Sequence, residues 1–251
     1  ANLATPASNV GDAIGDTYVS IEGLIGSSFA DILKGDGNDN WIYGGDGFDQ
    51  IYGGAGNDVL IAGNGSDDLY GGAGADALYG EGGTADWARY DDAAAGLVAD
   101  LASPAGNTGD AAGDTYNGIE GLVGSAFNDI LRGDSGANQL LGNAGADTLI
   151  GRDGNDSLSG GAGNDILNGG AGADSLNGGT EFDYATYADH LGGLTADLQT
   201  AANNTGEATG DTYTSVEGLI GTAYDDSLRG DAGDNWIYGG TGDDAIYGRD
   251  G

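Results

Sequence analysis

Aspartate or asparagine stands at every ninth position along two long stretches of the chain. The first is Asp31, Asn40, Asp49, Asp58, Asp67 and Asp76. The second is Asp129, Asn138, Asp147, Asp156, Asp165, Asp174 and Asp183, and a third opens with Asp226, Asn235 and Asp244. Acids this regular are poor candidates for catalysis: a glycosidase-type carboxylate pair can be drawn almost anywhere, and that abundance argues against any one pair. The single histidine, His190, has no positioned nucleophile near it in the sequence, and the chain has no cysteine. Oxygen ligands in flexible loops, without imidazole or thiolate, suit calcium. Zinc and copper prefer softer donors, and magnesium demands a rigid octahedron and keeps its waters.

The elements that carry these acids follow from the residues between them. The nonapeptide reads Gly-Gly-x-Gly-x-Asp-x-(Ile/Leu)-x, as in Gly44-Gly45-Asp46-Gly47-Phe48-Asp49-Gln50-Ile51-Tyr52. An apolar residue every ninth position, Leu33, Ile42, Ile51, Leu60, Leu69 and Leu78 in the first run, fits neither a helix period nor a long alternating strand. It fits a three-residue strand followed by a tight six-residue turn. Two such steps make a flattened coil of 18 residues, and coils stack at about 4.8 Å. The expected fold is therefore all-β, a parallel β-solenoid with longer connector loops. Stacking brings acids 18 residues apart to roughly 5 Å, where each pair repels by about 3 kcal/mol at an effective dielectric near 20. A cation turns that repulsion into a site. The expected ligands are Asp31, Asp49, Asp58, Asp67, Asp76, Asp129, Asp147, Asp156, Asp165, Asp174, Asp183, Asp226 and Asp244, with carbonyls of the glycine loops: Gly45, Gly47, Gly54, Gly56, Gly72, Gly74, Gly161, Gly163, Gly170, Gly172, Gly240 and Gly242. Where Asn replaces Asp at 40, 138 and 235, the expected substitutes are Asp36, Asp134 and Asp231. Glu22, Glu120 and Glu217 fall in ladder register without a glycine loop, and Arg152 brings a cation beside a site.

This run resembles the haemolysin-type, repeats-in-toxin calcium-binding nonapeptide. The resemblance implies a right-handed parallel β-roll with several calcium ions held between adjacent turns by the loop Asp and glycine carbonyls. It also implies export, unfolded, by a bacterial type I system and folding outside the cell.

A longer repeat of 97 to 98 residues encloses the short one. Gly15-Asp16-Thr17-Tyr18 returns as Gly113-Asp114-Thr115-Tyr116 and Gly210-Asp211-Thr212-Tyr213. Units at approximately 3–100, 101–197 and 198–251 are expected to form one continuous solenoid over 1–251, a slice of a longer array. The connectors contain short strands at Trp87-Ala88-Arg89-Tyr90, Tyr184-Ala185-Thr186-Tyr187, 96–101 and 193–198, with surface loops at 102–114 and 199–211.

Composition narrows the function. With 41 acidic and six basic residues the formal charge is −35, which excludes nucleic-acid binding. No apolar run reaches the ~20 residues of a membrane span. An EF-hand at Asp36 fails because Trp41 and Gly47 stand where its turn glycine and bidentate glutamate belong. Tyr43, Tyr52, Tyr70, Tyr79, Tyr238 and Tyr247, with Trp41 and Trp236, are expected to face outward, either as a cross-turn aromatic ladder or as a sticky face for a neighbouring chain or glycan. The expectation is a secreted, calcium-rigidified scaffold at a bacterial cell surface, such as an adhesin stalk, surface-layer or filament component. It is not an enzyme, and it associates with itself or with other surface components. Two alternatives remain: the carboxy-terminal calcium module of a secreted protease, lipase or epimerase, and an ice-binding solenoid.

Overall fold

The computed structural model describes residues 1–83 and 85–250, which divide into two compact units, Ala1–Val123 and Gly124–Gly251. Each is a parallel β-solenoid. In the first unit one sheet stacks Gly23–Ile25, Trp41–Gly47, Val59–Gly65, Ala77–Gly83 and Thr115–Asn117, every neighbour parallel. The other stacks Ile32–Lys34, Gln50–Ala55, Asp68–Ala73, Trp87–Arg89 and Gly121–Val123 in the same way. Ile42 lies on Leu60 and Leu60 on Leu78, an 18-residue register that keeps like residues in line. The inward rows are buried: Leu33, Ile42, Ile51, Leu60, Leu69 and Leu78 form the core. Each fully buried Leu or Ile contributes about 1.5–3 kcal/mol.

Strands such as Trp41–Gly47 are longer than the three residues the sequence suggests. They continue through the glycines because identical loops stack in register, Gly45 on Gly63 and Gly47 on Gly65. Loop amides then find partners one coil away: Gly56 N–H donates to the Ala73 carbonyl and Ala55 N–H to that of Asp36. The spacing tolerates no side chain at Gly63, where φ is +111° and a methyl would lie 2.1 Å from the Gly45 carbonyl oxygen.

Connectors leave the coil and return to it. Thr115–Asn117 adds to Ala77–Gly83 although Tyr116 follows Leu78, its register partner, by 38 residues. The excursion holds the strand Val98–Asp100 and the 3-10 turns Pro104–Gly106 and Gly109–Ala111. Among the described residues helical structure is otherwise confined to similar three-residue turns.

The second unit repeats the plan. Ile130–Arg132, Thr148–Asp153, Ile166–Ala171, Tyr184–Thr186, Gly218–Ile220 and Trp236–Tyr238 form one parallel stack. Gln139–Ala144, Ser157–Ala162, Ser175–Thr180 and Thr212–Thr214 form another. Thr195–Asp197, Ser227–Arg229 and Ala245–Tyr247 form a third. Leu131, Leu140, Leu149, Leu158, Leu167 and Leu176 are buried as their counterparts are.

Candidate metal centres

The ladder aspartates form chains of hydrogen bonds up each edge. Asp31 N–H donates to Asp49 Oδ1 at 2.8 Å, Asp49 N–H to Asp67 Oδ1 at 2.7 Å, and Asp67 N–H to Asp86 Oδ1 at 2.9 Å. On the other edge Asn40 N–H donates to Asp58 Oδ1 and Asp58 N–H to Asp76 Oδ1, both at 2.7 Å. The second unit shows the same from Asp129 through Asp147 and Asp165 to Asp183, and from Asn138 through Asp156 to Asp174. One carboxylate oxygen therefore joins coil to coil.

The other oxygen has no partner. Oδ2 of Asp49, Asp58, Asp67, Asp76, Asp147, Asp156, Asp165, Asp174 and Asp183 is buried without a hydrogen bond, an expensive state for a charged acceptor. All but that of Asp67 face the glycine at the first position of their own loop; in the Asp67 loop that position is Ala62. A methyl on Gly44 would lie 2.4 Å from Asp49 Oδ2 and 2.5 Å from the Ala62 carbonyl oxygen of the next coil. At Gly53 the neighbours are Asp58 Oδ2 at 2.2 Å and the Gly71 carbonyl at 2.6 Å, and at Gly151 they are Asp156 Oδ2 at 2.2 Å and the Gly169 carbonyl at 2.5 Å. Carboxylate and carbonyl thus flank one small space. Burial above all, then neighbouring acids, pushes Asp49 and Asp58 up to about 6 and Asp147 and Asp156 up to about 7, against the lowering effect of the ladder amide. Among the described residues no three Asp, Glu or His side chains converge on one point, so a cation here draws on few carboxylates and on backbone carbonyls. That oxygen-only, partly neutral donor set suits calcium.

Carbonyls at the second and fourth loop positions, including those of Gly45, Gly47, Gly54 and Gly56, point along the stack at the glycines directly above. The first-position carbonyls, of Ala62, Gly71, Gly160 and Gly169, were not singled out by the sequence, yet they lie beside the orphaned carboxylates of Asp49, Asp58, Asp147 and Asp156.

The first two loops of each run are closed. Asp31 Oδ2 accepts the Ser27 amide at 2.6 Å, Asp129 Oδ2 that of Ser125 at 2.6 Å, and Asp226 Oδ2 that of Thr222 at 2.7 Å. In the second loops the Asn side-chain oxygens do the same for the amides of Asp36, Asp134 and Asp231. Those three aspartates cap their own turns: Asp36 Oδ1 accepts from Asn38, Asp134 Oδ1 from Gly136, and Asp231 Oδ1 from Gly233. The difference lies at the second loop position. Open loops there have positive φ, at Gly45, Gly54, Gly63 and Gly72 for instance, which turns the amide away from the carboxylate.

Connectors extend the ladder through residues that the nine-residue spacing does not reveal. Asp76 N–H donates to Asp114 Oδ1 and Asp174 N–H to Asp211 Oδ1, so the aspartates of Gly-Asp-Thr-Tyr are ladder residues. Their Oδ2 atoms accept the Tyr90 and Tyr187 hydroxyls, each at 2.7 Å, and those hydroxyls also meet Tyr116 and Tyr213. A buried phenol thus takes up the second oxygen. Glu120 and Glu217 accept the amides of Asp86 and Asp183, which places both in the ladder as their register suggests. His190 lies 3.4 Å from Glu207. Outward, Tyr52 stacks on Tyr70 at 4.3 Å, with Lys34 over one ring and Arg89 over the other, and Tyr184, Trp236 and Tyr238 adjoin in the second unit.

Sequence comparison matches the chain to the RTX calcium-binding nonapeptide repeat at residues 25–60, 52–84, 108–149, 123–158, 150–185 and 220–251. No curated protein matches it.

Proposed function

The chain belongs to the family of RTX calcium-binding nonapeptide repeat proteins, and from that premise we propose that it is a calcium-stabilised structural scaffold working outside the cell. The observation that carries this reading is the set of nine buried Asp Oδ2 atoms without partners, eight of them directed at a loop glycine. Asp49, Asp58, Asp67 and Asp76 in the first unit, with Asp147, Asp156, Asp165, Asp174 and Asp183 in the second, hold calcium together with first-position carbonyls. Bound calcium supplies the positive charge that the orphaned oxygens lack. The chain's own residues do the rest: Oδ1 fixes each carboxylate to the coil below, positive φ at the second loop position keeps the loop open, and the Leu/Ile rows set the register.

The role is structural rather than catalytic, because the buried acids occupy equivalent ladder positions instead of forming one distinctive constellation. No helix among the described residues is long and apolar enough to cross a membrane. Extracellular calcium modules bind at about 10⁻⁴–10⁻³ M, so a chain that needs such concentrations stays unfolded until exported. Antibody raised against the calcium-loaded protein tests the location. Intact producing cells should label in calcium and lose the label after a chelator wash, whereas labelling only after lysis contradicts a surface scaffold.

A further inference from the structure

Asp183 closes the second run, and a connector rather than a nonapeptide follows it. Its Oδ2 is nonetheless orphaned on a fully buried side chain and faces Gly178, the first glycine of its own loop. A methyl there would lie 2.4 Å from that Oδ2 and 2.0 Å from the carbonyl oxygen of Ser215. Ser215 belongs to the connector's return. It comes one residue after Thr214, which pairs with Asn177, and so stands in the register of a first loop position. Carboxylate and carbonyl flank the space as they do at Gly142, where Asp147 Oδ2 lies at 2.3 Å and the Gly160 carbonyl at 2.5 Å.

Local structure holds that carbonyl in place. Ser215 has φ of +48°, a left-handed conformation that costs a serine about 1–3 kcal/mol. Just beyond it, the amides of Glu217 and Gly218 donate to the Asp183 carbonyl at 3.1 and 2.8 Å. Glu217 Oε2 in turn accepts the Asp183 amide at 3.1 Å, which brings a second carboxylate to the same place.

The first unit builds the same arrangement around Asp86, which is buried. A methyl on Gly80 would lie 2.6 Å from Asp86 Oδ2 and 1.8 Å from the Gly118 carbonyl oxygen. Gly118 has φ of +64°, and Glu120 Oε2 accepts the Asp86 amide at 3.0 Å. Asp86 follows Asp67, its ladder neighbour, by 19 residues, so the nine-residue spacing passes it by.

We propose that a calcium ion binds at each return, between Asp183 Oδ2 and the Ser215 carbonyl and between Asp86 Oδ2 and the Gly118 carbonyl, and fastens the connector to its run. The inference rests on the calcium reading above and extends it to ligands outside the nonapeptides. All the donors are oxygens, as calcium requires, and Glu217 and Glu120 add a second negative charge beside each ion. Without the ion, the returning chain meets buried acids that nothing neutralises, and it comes away.

Native mass spectrometry of the full chain at saturating calcium, with hydrogen exchange of residues 113–120 and 212–217, tests this. Asp86→Asn and Asp183→Asn each keep an oxygen for the ladder amide, and each should bind one ion fewer than wild type. The released return should exchange about a hundredfold faster, the factor by which calcium at 100 times its Kd favours the bound form. Asp147→Asn, inside the run, should lose an ion while 212–217 keep the wild-type rate. Circular dichroism in calcium confirms that each variant folds. A full count in Asp86→Asn, with Asp147→Asn one ion short, would overturn the inference and leave the calcium reading intact. Lost ions with unchanged exchange at both returns would do the same. A wild-type protein that binds no calcium would overturn both.

Discussion

Asp58 separates the two jobs of a ladder aspartate. Its Oδ1 accepts the Asn40 amide at 2.7 Å, while its Oδ2 is buried and unpartnered beside the Gly71 carbonyl. Asp58→Asn keeps an oxygen for the ladder and removes the charged ligand. Asp58→Ala removes both. A site held at 100 times its Kd contributes about 2.7 kcal/mol through linkage, so the Asn variant should lose about that much in saturating calcium. The Ala variant also strands the buried Asn40 N–H and should lose about 1–3 kcal/mol more. In chelator the Asn effect reverses. Burial has raised the Asp58 carboxyl to about 6, a penalty of about 3 kcal/mol, roughly halved because water still screens the loop. Asn escapes that penalty and should raise the stability of the metal-free fold by about 1–2 kcal/mol. Urea unfolding of the three proteins in saturating calcium measures the first two effects, and the residual strand signal in chelator, which should be strongest for the Asn variant, measures the third. An Asn variant as stable as wild type in calcium, or equal to Ala in both conditions, would refute the division of labour between Oδ1 and Oδ2.

Gly53→Ala places a methyl 2.2 Å from Asp58 Oδ2 and 2.6 Å from the Gly71 carbonyl, whereas Gly37→Ala meets open space. The first should cost about 1–3 kcal/mol and a calcium ion, the second almost nothing, read by thermal melting and ion counting. Tyr90→Phe removes the hydroxyl bound to Asp114 and should cost about 1–3 kcal/mol in calcium while leaving the number of bound calcium ions unchanged; a lost ion would place a metal there instead. The pH dependence in chelator follows from acids raised on folding: the stability they contribute is complete below their ordinary value near 4 and is lost as pH rises through about 6 for Asp49 and Asp58 and about 7 for Asp147 and Asp156. Strand signal in circular dichroism should therefore grow as the chelated protein is acidified from pH 7.5 to 4. In saturating calcium acid should weaken the fold, because protons compete for the same oxygens.

The nonapeptide made the solenoid legible because a period of nine with one inward Leu or Ile admits few alternatives, and the register of Ile42 on Leu60 follows from it. The ladder acids were legible for the same reason. Asp114 and Asp211 were not: their connectors insert enough chain that they follow Asp76 and Asp174 by 38 and 37 residues, outside any 18-residue register. Only the recurrence of Gly-Asp-Thr-Tyr hinted at them. The distinction between open and closed loops was also hidden, since it rests on the sign of φ at one position. Ser27, Ser125 and Thr222 mark it in the sequence as residues that replace the usual glycine. First-position carbonyls escaped notice because nothing in the sequence reports the direction of a peptide group.

Far-ultraviolet circular dichroism during a calcium titration tests the central claim, that the coils close only when a cation meets the orphaned oxygens, most directly. Chelated protein at neutral pH should give a coil-like spectrum and gain strand signal cooperatively at millimolar calcium, with magnesium a poor substitute. A fully native spectrum in excess chelator at neutral pH would contradict it.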